Sequence, residues 1–145
     1  MRIVADENIP LVDAFFADLG EVVRVPGRHL CAKQVRAADV LLVRSVTEVN
    51  RSLLEGSEVR FVASATIGTD HIDQPYLARQ GIGFANAPGC NADSVVNYVL
   101  SALFNLAAET GEDLFQRRIG IIGAGNVGGR LQRCLQSLGL SVLIN

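Results

Sequence analysis

The sequence predicts an α/β protein, and three observations lead to that class. Short runs rich in Val, Ile and Leu recur along the chain, segments with helical spacing separate them, and glycine follows several of these segments. The apolar runs are continuous and do not alternate with polar residues, which is typical of parallel strands covered by helices on both faces. A parallel sheet joined by crossover helices is therefore the expected architecture.

The strands of this sheet are expected where the apolar runs lie. The first 85 residues contain five such runs, at 2–5, 22–25, 40–43, 60–65 and 82–85. Shorter helical segments lie near 31–37, 50–55 and 73–80. No sequence repeat or low-complexity tract interrupts this order.

A longer helical signal lies between the first two runs. Asn8 is a residue type that caps helices, and Gly20 is one that ends them. Between them, Leu11, Phe15 and Leu19 are four residues apart, as on one face of a helix. We therefore expect a helix here, with Asp6, Glu7 and Asn8 as loop and cap residues.

The longest helix is expected after the Pro88–Gly89 turn, with Gly111 at its end. Its apolar positions form a broad stripe at helical spacing: Val96, Val99, Leu100, Leu103, Phe104 and Ala107. Two interpretations fit this pattern. The helix is either buried in a core, or it is a bridge between two domains that also contributes to a subunit interface.

A glycine fingerprint follows the apolar run at 119–122. Gly123, Gly125 and Gly128 have the GxGxxG spacing, and a helical stripe follows them, so the glycines fall at a strand-to-helix turn. In a dinucleotide site the first glycine permits the tight turn, the second admits a pyrophosphate, and the third allows close packing. The backbone N–H groups of Asn126 and Val127 are then expected to meet the phosphates. The alternative is a tight turn without a ligand.

A dinucleotide site also needs an acidic residue at the end of the second strand, about 20 residues after the glycines, to hold the ribose hydroxyls. The sequence ends there, at Asn145. One strand–helix–strand segment does not enclose a dinucleotide. We therefore expect this chain to be the front part of a longer enzyme.

Polar residues follow the third and fourth strands, where ligands gather in open α/β sheets. Arg44, Ser45 and Thr47 follow the third, and the segment 66–71, TIGTDH, follows the fourth. Hydroxyls, backbone N–H groups and a guanidinium suit a small anionic substrate. The alternatives are structural: Ser45 and Thr47 shape a turn and Arg44 is a solvated charge.

The same alternatives apply to the end of the second polar segment. Asp70 is a candidate cap for the helix that follows, and His71 is a polar residue at the start of that helix.

Composition argues against several classes of partner. The formal net charge is −2 and the basic residues are scattered, so we expect neither nucleic-acid nor membrane binding. Cys31, Cys90 and Cys134 are odd in number and not closely paired, which favours a reducing cytoplasm over a disulfide framework. We find no spacing typical of a metal site.

Several of these motifs occur together in one family. The segments VADENIP, VRSVTEVN, GTDHID, APGCNADSVVNYV and GIIGAGNVGGRL, in this order, resemble the D-isomer-specific 2-hydroxyacid dehydrogenases. The resemblance covers the whole chain. It implies a flavodoxin-like parallel-sheet substrate domain at 1–93, followed at 94–145 by a bridging helix and the first βαβ portion of a Rossmann NAD-binding domain.

The resemblance also implies a chemistry: NAD-dependent oxidation of a small phosphorylated hydroxy acid by a cytoplasmic homodimer. It assigns substrate binding to Ser45, Thr66, Ile67 and Gly68. It assigns cofactor binding to Gly123, Gly125, Asn126, Val127 and Gly128. The family's catalytic histidine, glutamate and arginine match no position here and are expected beyond residue 145. Another dehydrogenase of the family and a non-catalytic NAD-sensing module remain the alternatives.

Overall fold

A computed structural model describes residues 1–145, which divide into two compact units, Met1–Pro88 and Gly89–Asn145. The division precedes a helix that begins at Ala92 and belongs wholly to the second unit. It therefore lies slightly before the expected boundary at 93/94.

The first unit is built on a parallel sheet of five strands. The strands are β1 (Arg2–Asp6), β2 (Glu21–Val25), β3 (Val40–Val43), β4 (Phe61–Ser64) and β5 (Gly83–Ala85). Their order is β2-β1-β3-β4-β5 and every neighbouring pair is parallel. This is the flavodoxin-like order. The structure confirms the predicted class and all five strands, whose ends differ from the expected ones by one residue at most.

Helices cover the two faces of this sheet unequally. They are α1 (Val12–Phe16), α2 (Ala32–Val35), α3 (Arg51–Leu54) and α4 (Gln74–Gln80). Residues of α2, α3 and α4 share one core with the strand residues Val4, Leu41 and Val62. Val12 of α1 packs on the other face with Ile3. Each fully buried aliphatic side chain contributes about 1.5–3 kcal/mol of transfer free energy.

The α1 region differs from the expectation. Leu11, Phe15 and Leu19 are 64%, 70% and 55% exposed, whereas Val12 is buried and Phe16 is partly buried. The helix spans only Val12–Phe16, so the pair four residues apart that meets the sheet is Val12 with Phe16. The face that carries Leu11, Phe15 and Leu19 is therefore the exposed one, and the helix is shorter than the spacing predicts.

The caps also differ in part from the expected ones. The N-cap position of α1 is Leu11, with no side-chain cap, and Asn8 instead donates its backbone N–H to Asp6 Oδ1 at 2.9 Å. At α4 the cap is Asp73, whose Oδ1 accepts the backbone N–H of Tyr76 at 2.9 Å. Asp70 lies before this position and does not cap the helix.

The second unit contains a long helix followed by a strand–helix–strand segment. Its elements are α5 (Ala92–Thr110), β6 (Arg118–Ile121), α6 (Gly128–Ser137) and β7 (Ser141–Ile144). The two strands pair in parallel. The core of this unit contains Val96, Ile121, Leu131, Leu135 and Leu140. This is the βαβ start that the sequence predicts.

Helix α5 is amphipathic within its own unit. Val96 is buried and Val99, Leu100 and Leu103 pack against the core of the unit. Tyr98, Phe104 and Leu106 are 74%, 41% and 57% exposed. The helix is therefore not enclosed in a core, and its role in a subunit interface stays a prediction.

No helix of the chain has the length and the hydropathy that crossing a bilayer requires.

Candidate functional site

The predicted substrate residues lie at one edge of the five-stranded sheet. Strands β3 and β4 are paired with Val43 opposite Ser64, so Ser45 and Thr66 follow the paired residues at the same distance on neighbouring strands. Ile67 and Gly68 continue the loop after β4. Ser45, Ile67 and Gly68 are exposed and Thr66 is half-buried. The topology thus brings the four residues to one accessible edge.

A buried hydrogen-bond chain lies directly behind Thr66. Ser64 Oγ is 2.9 Å from Thr66 Oγ1 and 3.1 Å from His71 Nε2, and it also accepts the Thr66 backbone N–H at 3.3 Å. Ser64 and His71 are 4% and 6% exposed. This chain fixes the position of the Thr66 hydroxyl, and it places His71 in the interior instead of at an exposed helix start.

Asn86 contributes a further contact that the sequence analysis missed. It follows β5, the neighbour of β4, and its side-chain Nδ2 donates to the Ile67 carbonyl at 2.9 Å. The backbone N–H groups of Ile67 and Gly68 have no carbonyl acceptor in the protein. The loop is therefore held by its carbonyl while its N–H groups remain available. The only sequence signal for Asn86 was its position after an apolar run.

Arg44 is not a freely solvated charge. Its Nε donates to Asp6 Oδ2 at 3.0 Å, and Asp6 is fully buried at the end of β1. Burial favours the neutral carboxyl, but hydrogen bonds from the Asn8 backbone N–H and from Arg44 outweigh burial and lower the pKa of Asp6. Asp6 is therefore an ionised, buried anchor and not a loop or cap residue. The two partners lie 38 positions apart, so local sequence reasoning did not pair them.

The glycine fingerprint forms an open turn between β6 and α6. Gly123 has φ 87°, a conformation that favours glycine. A Cβ on Gly128 would lie 1.9 Å from the Gly123 carbonyl oxygen, so the third position admits only glycine without movement. A Cβ on Gly125 would meet no atom within 4 Å. The first and third glycines therefore serve the turn, and the second leaves a gap beside it.

The start of α6 carries free hydrogen-bond donors. The N-cap residue Val127 supplies no side-chain cap, and the backbone N–H groups of Gly125, Asn126 and Val127 have no carbonyl acceptor. Gly125 and Asn126 are exposed. Such a helix start attracts anions, because its N–H groups and its dipole both favour negative charge. This arrangement fits the diphosphate bridge of a dinucleotide.

A cavity of about 410 Å³ lies elsewhere in the first unit. Its lining includes Leu54 and Gly56 from the segment after α3, and Arg79 and Gln80 from the end of α4. Those segments lead into the amino ends of β4 and β5, so the cavity is at the opposite edge of the sheet from Ser45 and Thr66. No group of three or more His, Cys, Asp or Glu side chains is placed to hold a metal ion.

The chain is similar to known proteins over nearly its whole length. The family model of the D-isomer specific 2-hydroxyacid dehydrogenase catalytic domain matches residues 4–135. A protein named erythronate-4-phosphate dehydrogenase from Chromohalobacter salexigens is 59% identical over 144 residues, which is 99% of this chain and 38% of the relative. A Marinobacter nauticus protein of the same name is 62% identical over 98% of this chain and 37% of the relative. The chain thus spans well under half the length of these relatives.

Solved structures show the same fold at lower identity. D-Lactate dehydrogenase from Aquifex aeolicus, complexed with NAD and lactic acid, superposes with a TM-score of 0.75 at 16% identity, over 99% of this chain and 50% of that one. NAD⁺-bound 3-phosphoglycerate dehydrogenase from Entamoeba histolytica gives a TM-score of 0.73 at 23% identity, over all of this chain and 53% of that one.

Proposed function

This chain belongs to the D-isomer specific 2-hydroxyacid dehydrogenase family, and from that premise we propose that the protein carrying it oxidises 4-phospho-D-erythronate with NAD. The product is 2-oxo-3-hydroxy-4-phosphobutanoate, an intermediate on the way to pyridoxal 5'-phosphate. The observation that carries the proposal is the open turn at the start of α6, where backbone N–H groups lack acceptors and a Cβ on Gly125 would meet no atom within 4 Å.

The choice of substrate rests on the relatives. Proteins about 60% identical over nearly the whole chain are named for erythronate 4-phosphate. The likeness to 3-phosphoglycerate dehydrogenase is only a likeness of fold. Nothing in the chain favours 3-phosphoglycerate over the four-carbon acid.

The chain's own residues bind and orient in this proposal. Ser45 and Thr66 offer hydroxyls to the substrate, and the free N–H groups of Ile67 and Gly68 suit its carboxylate. A bound NAD would supply the acceptor for the hydride of substrate C2, and a base would take the proton of the C2 hydroxyl. We expect that base, and the arginine that aids it, outside residues 1–145.

The residues that suit the cofactor all lie in the second unit. Gly125 and the N–H groups of Asn126 and Val127 would hold the diphosphate at the start of α6, in the turn that Gly123 and Gly128 allow. We also propose a homodimer in the cytoplasm. The exposed apolar side chains of α5 and the three free cysteines support these two points.

The test is an activity assay of the complete protein with NAD, comparing 4-phospho-D-erythronate with 3-phosphoglycerate at equal concentrations. We expect NADH formation with the four-carbon acid and a lower kcat/KM for 3-phosphoglycerate. Preferred turnover of 3-phosphoglycerate would assign the protein to the neighbouring activity. NAD binding without turnover of either acid would favour a sensing module.

A further inference from the structure

A small cavity in the first unit is lined by two arginines to which the proposed function assigns no role. It measures about 190 Å³ and lies at the carboxyl ends of β1, β2 and β3. Its lining includes Arg28, His29, Arg44 and Glu7. In this strand order, β1 and β3 flank the point where the chain reverses its direction across the sheet, and ligands of open α/β sheets bind outside the carboxyl ends there.

Arg44 lines this cavity, and the protein binds its guanidinium at one nitrogen only. Asp6 binds only its Nε, at 3.0 Å, and the Asp6 carboxylate is itself fixed by burial and by the Asn8 backbone N–H at 2.9 Å. The Nη groups of Arg44 have no acceptor within the protein, and the side chain is 32% exposed. A guanidinium held by one nitrogen and free at two others is oriented for an anion with several oxygens.

The loop after β2 brings a second cation to the same place. A Cβ on Gly27 would lie 2.0 Å from Asp6 Oδ2, so only glycine lets this loop pack on the buried carboxylate. The Gly27 carbonyl accepts the hydroxyl of Thr47 at 2.9 Å, which fixes the loop from the other side. Arg28 follows directly and has no ion-pair partner. One buried carboxylate thus holds the Arg44 guanidinium and lies against the loop that carries Arg28.

We propose that this cavity is the subsite for the phosphate group of the substrate, bound between Arg28 and Arg44. The substrate loop after β4 is one strand away from Arg44 and two from β1, which corresponds to about 5–10 Å. An extended four-carbon acid with a terminal phosphate has a comparable span. Glu7 is the one carboxylate that lines the cavity, and it opposes the bound anion.

The identity of the substrate in this inference rests on the proposed function, whereas the anion site itself does not. The experiment therefore has two readouts on the complete protein. The first is kcat and KM for 4-phospho-D-erythronate and for unphosphorylated D-erythronate. The second is the dissociation constant of inorganic phosphate, measured by calorimetry.

The variants are Arg28→Gln and Glu7→Gln, with Arg36→Gln as the control for loss of an exposed positive charge outside the cavity. Arg28→Gln is expected to raise the KM for the phosphorylated acid and the phosphate dissociation constant about tenfold or more. It should leave kcat, and kcat/KM for D-erythronate, within about twofold. Glu7→Gln should lower both constants, since it removes the opposing carboxylate, and Arg36→Gln should leave them unchanged.

Two results would overturn the subsite. In one, Arg28→Gln changes neither the KM for the phosphorylated acid nor the binding of phosphate; in the other, Arg36→Gln changes them equally, which indicates a general effect of charge. If the protein does not turn over 4-phospho-D-erythronate, the proposed function fails, but weaker phosphate binding by Arg28→Gln still supports the anion site. Arg28→Lys should restore part of the affinity, because it restores the charge without the fork of donors.

Discussion

At the residue scale, Ser64 connects two side chains that the sequence places in different roles. Its hydroxyl lies between Thr66, a predicted substrate contact, and His71, which is buried. A buried polar group that loses its hydrogen-bond partner destabilises the fold by more than the hydrogen bond itself contributes. His71 is therefore a positioning residue that acts on Thr66 through Ser64, and it is not a candidate base.

Replacing Ser64 with alanine should impair substrate binding and stability together. The free energy of unfolding should fall by about 1–3 kcal/mol, since His71 keeps no partner at Nε2. The KM for the substrate should rise more than kcat falls, because the Thr66 hydroxyl loses its fixed position. Denaturant unfolding and steady-state kinetics measure the two effects. The exposed hydroxyl of Ser52 provides the control, and an equal effect of Ser52→Ala would contradict the positioning role.

The Asp6–Arg44 pair predicts a pH dependence of stability. The pKa of Asp6 is lowered in the folded state, so its contribution is present above the unfolded pKa of about 3.9 and is lost as the pH falls through the folded value. Asp6→Asn should lower the free energy of unfolding by about 1–3 kcal/mol at neutral pH. The difference from the natural protein should shrink below about pH 4.

Denaturant unfolding at a series of pH values tests this prediction, with Asp18→Asn as the control for an exposed carboxylate without an ion-pair partner. A stability difference for Asp6→Asn that is the same at neutral and at acid pH would show that the charge of Asp6 does not matter to the fold.

At the scale of single elements, the β6–α6 turn separates a glycine that packs closely from one that we propose binds the cofactor. Gly128 packs on the Gly123 carbonyl, whereas the space beside Gly125 is open. The three glycines look equivalent in the sequence, and only the surroundings of each one distinguish them.

The two positions should respond differently to a side chain. Gly128→Ala should lower the free energy of unfolding by about 1–3 kcal/mol, because the methyl group overlaps a backbone oxygen. Gly125→Val should leave the stability within about 1 kcal/mol and weaken NAD binding at least about tenfold, because it fills the approach to the diphosphate. Thermal unfolding and calorimetric titration of the complete protein with NAD measure both. Unchanged NAD affinity in Gly125→Val would remove this turn from the cofactor site.

Helix α1 begins with a residue in an unfavourable backbone conformation. Leu11 has φ 58° and is 64% exposed, and the left-handed region costs a branched L-residue about 1–2 kcal/mol. Leu11→Asn should therefore raise the free energy of unfolding by about 1 kcal/mol, since asparagine tolerates this region and little buried surface is lost. Leu19→Asn, at an exposed leucine without positive φ, should give no gain. If both variants gain the same stability in denaturant unfolding, the gain comes from the polar side chain and not from the backbone conformation of residue 11.

The strands and the long helix were easier to predict from the sequence than helix α1 and the contacts between distant residues. The strands were predictable because each is a continuous apolar run enclosed between turn residues, and α5 was predictable because Gly111, with φ 70°, ends it. Helix α1 was harder, since a helix of five residues has too few turns for its spacing to identify the buried face. The Asp6–Arg44 pair and the Asn86–Ile67 contact depend on which strands are neighbours, and no local pattern contains that information.

At the scale of the molecule, the proposed function assigns a different part to each unit. The first unit offers hydroxyls, free N–H groups and two guanidinium groups at the carboxyl edge of its sheet. The second offers an anion-binding turn at the start of α6. The chain spans 38% of the length of its relatives, and we expect the remainder to supply the proton-transfer group.

We propose above all that hydride passes from C2 of 4-phospho-D-erythronate to the nicotinamide ring. Incubation of the complete protein with NAD and the acid deuterated at C2 measures this transfer directly by mass spectrometry of the products. We expect one deuterium in each NADH formed and none released to water. Deuterium released to solvent, or unlabelled NADH, would contradict it.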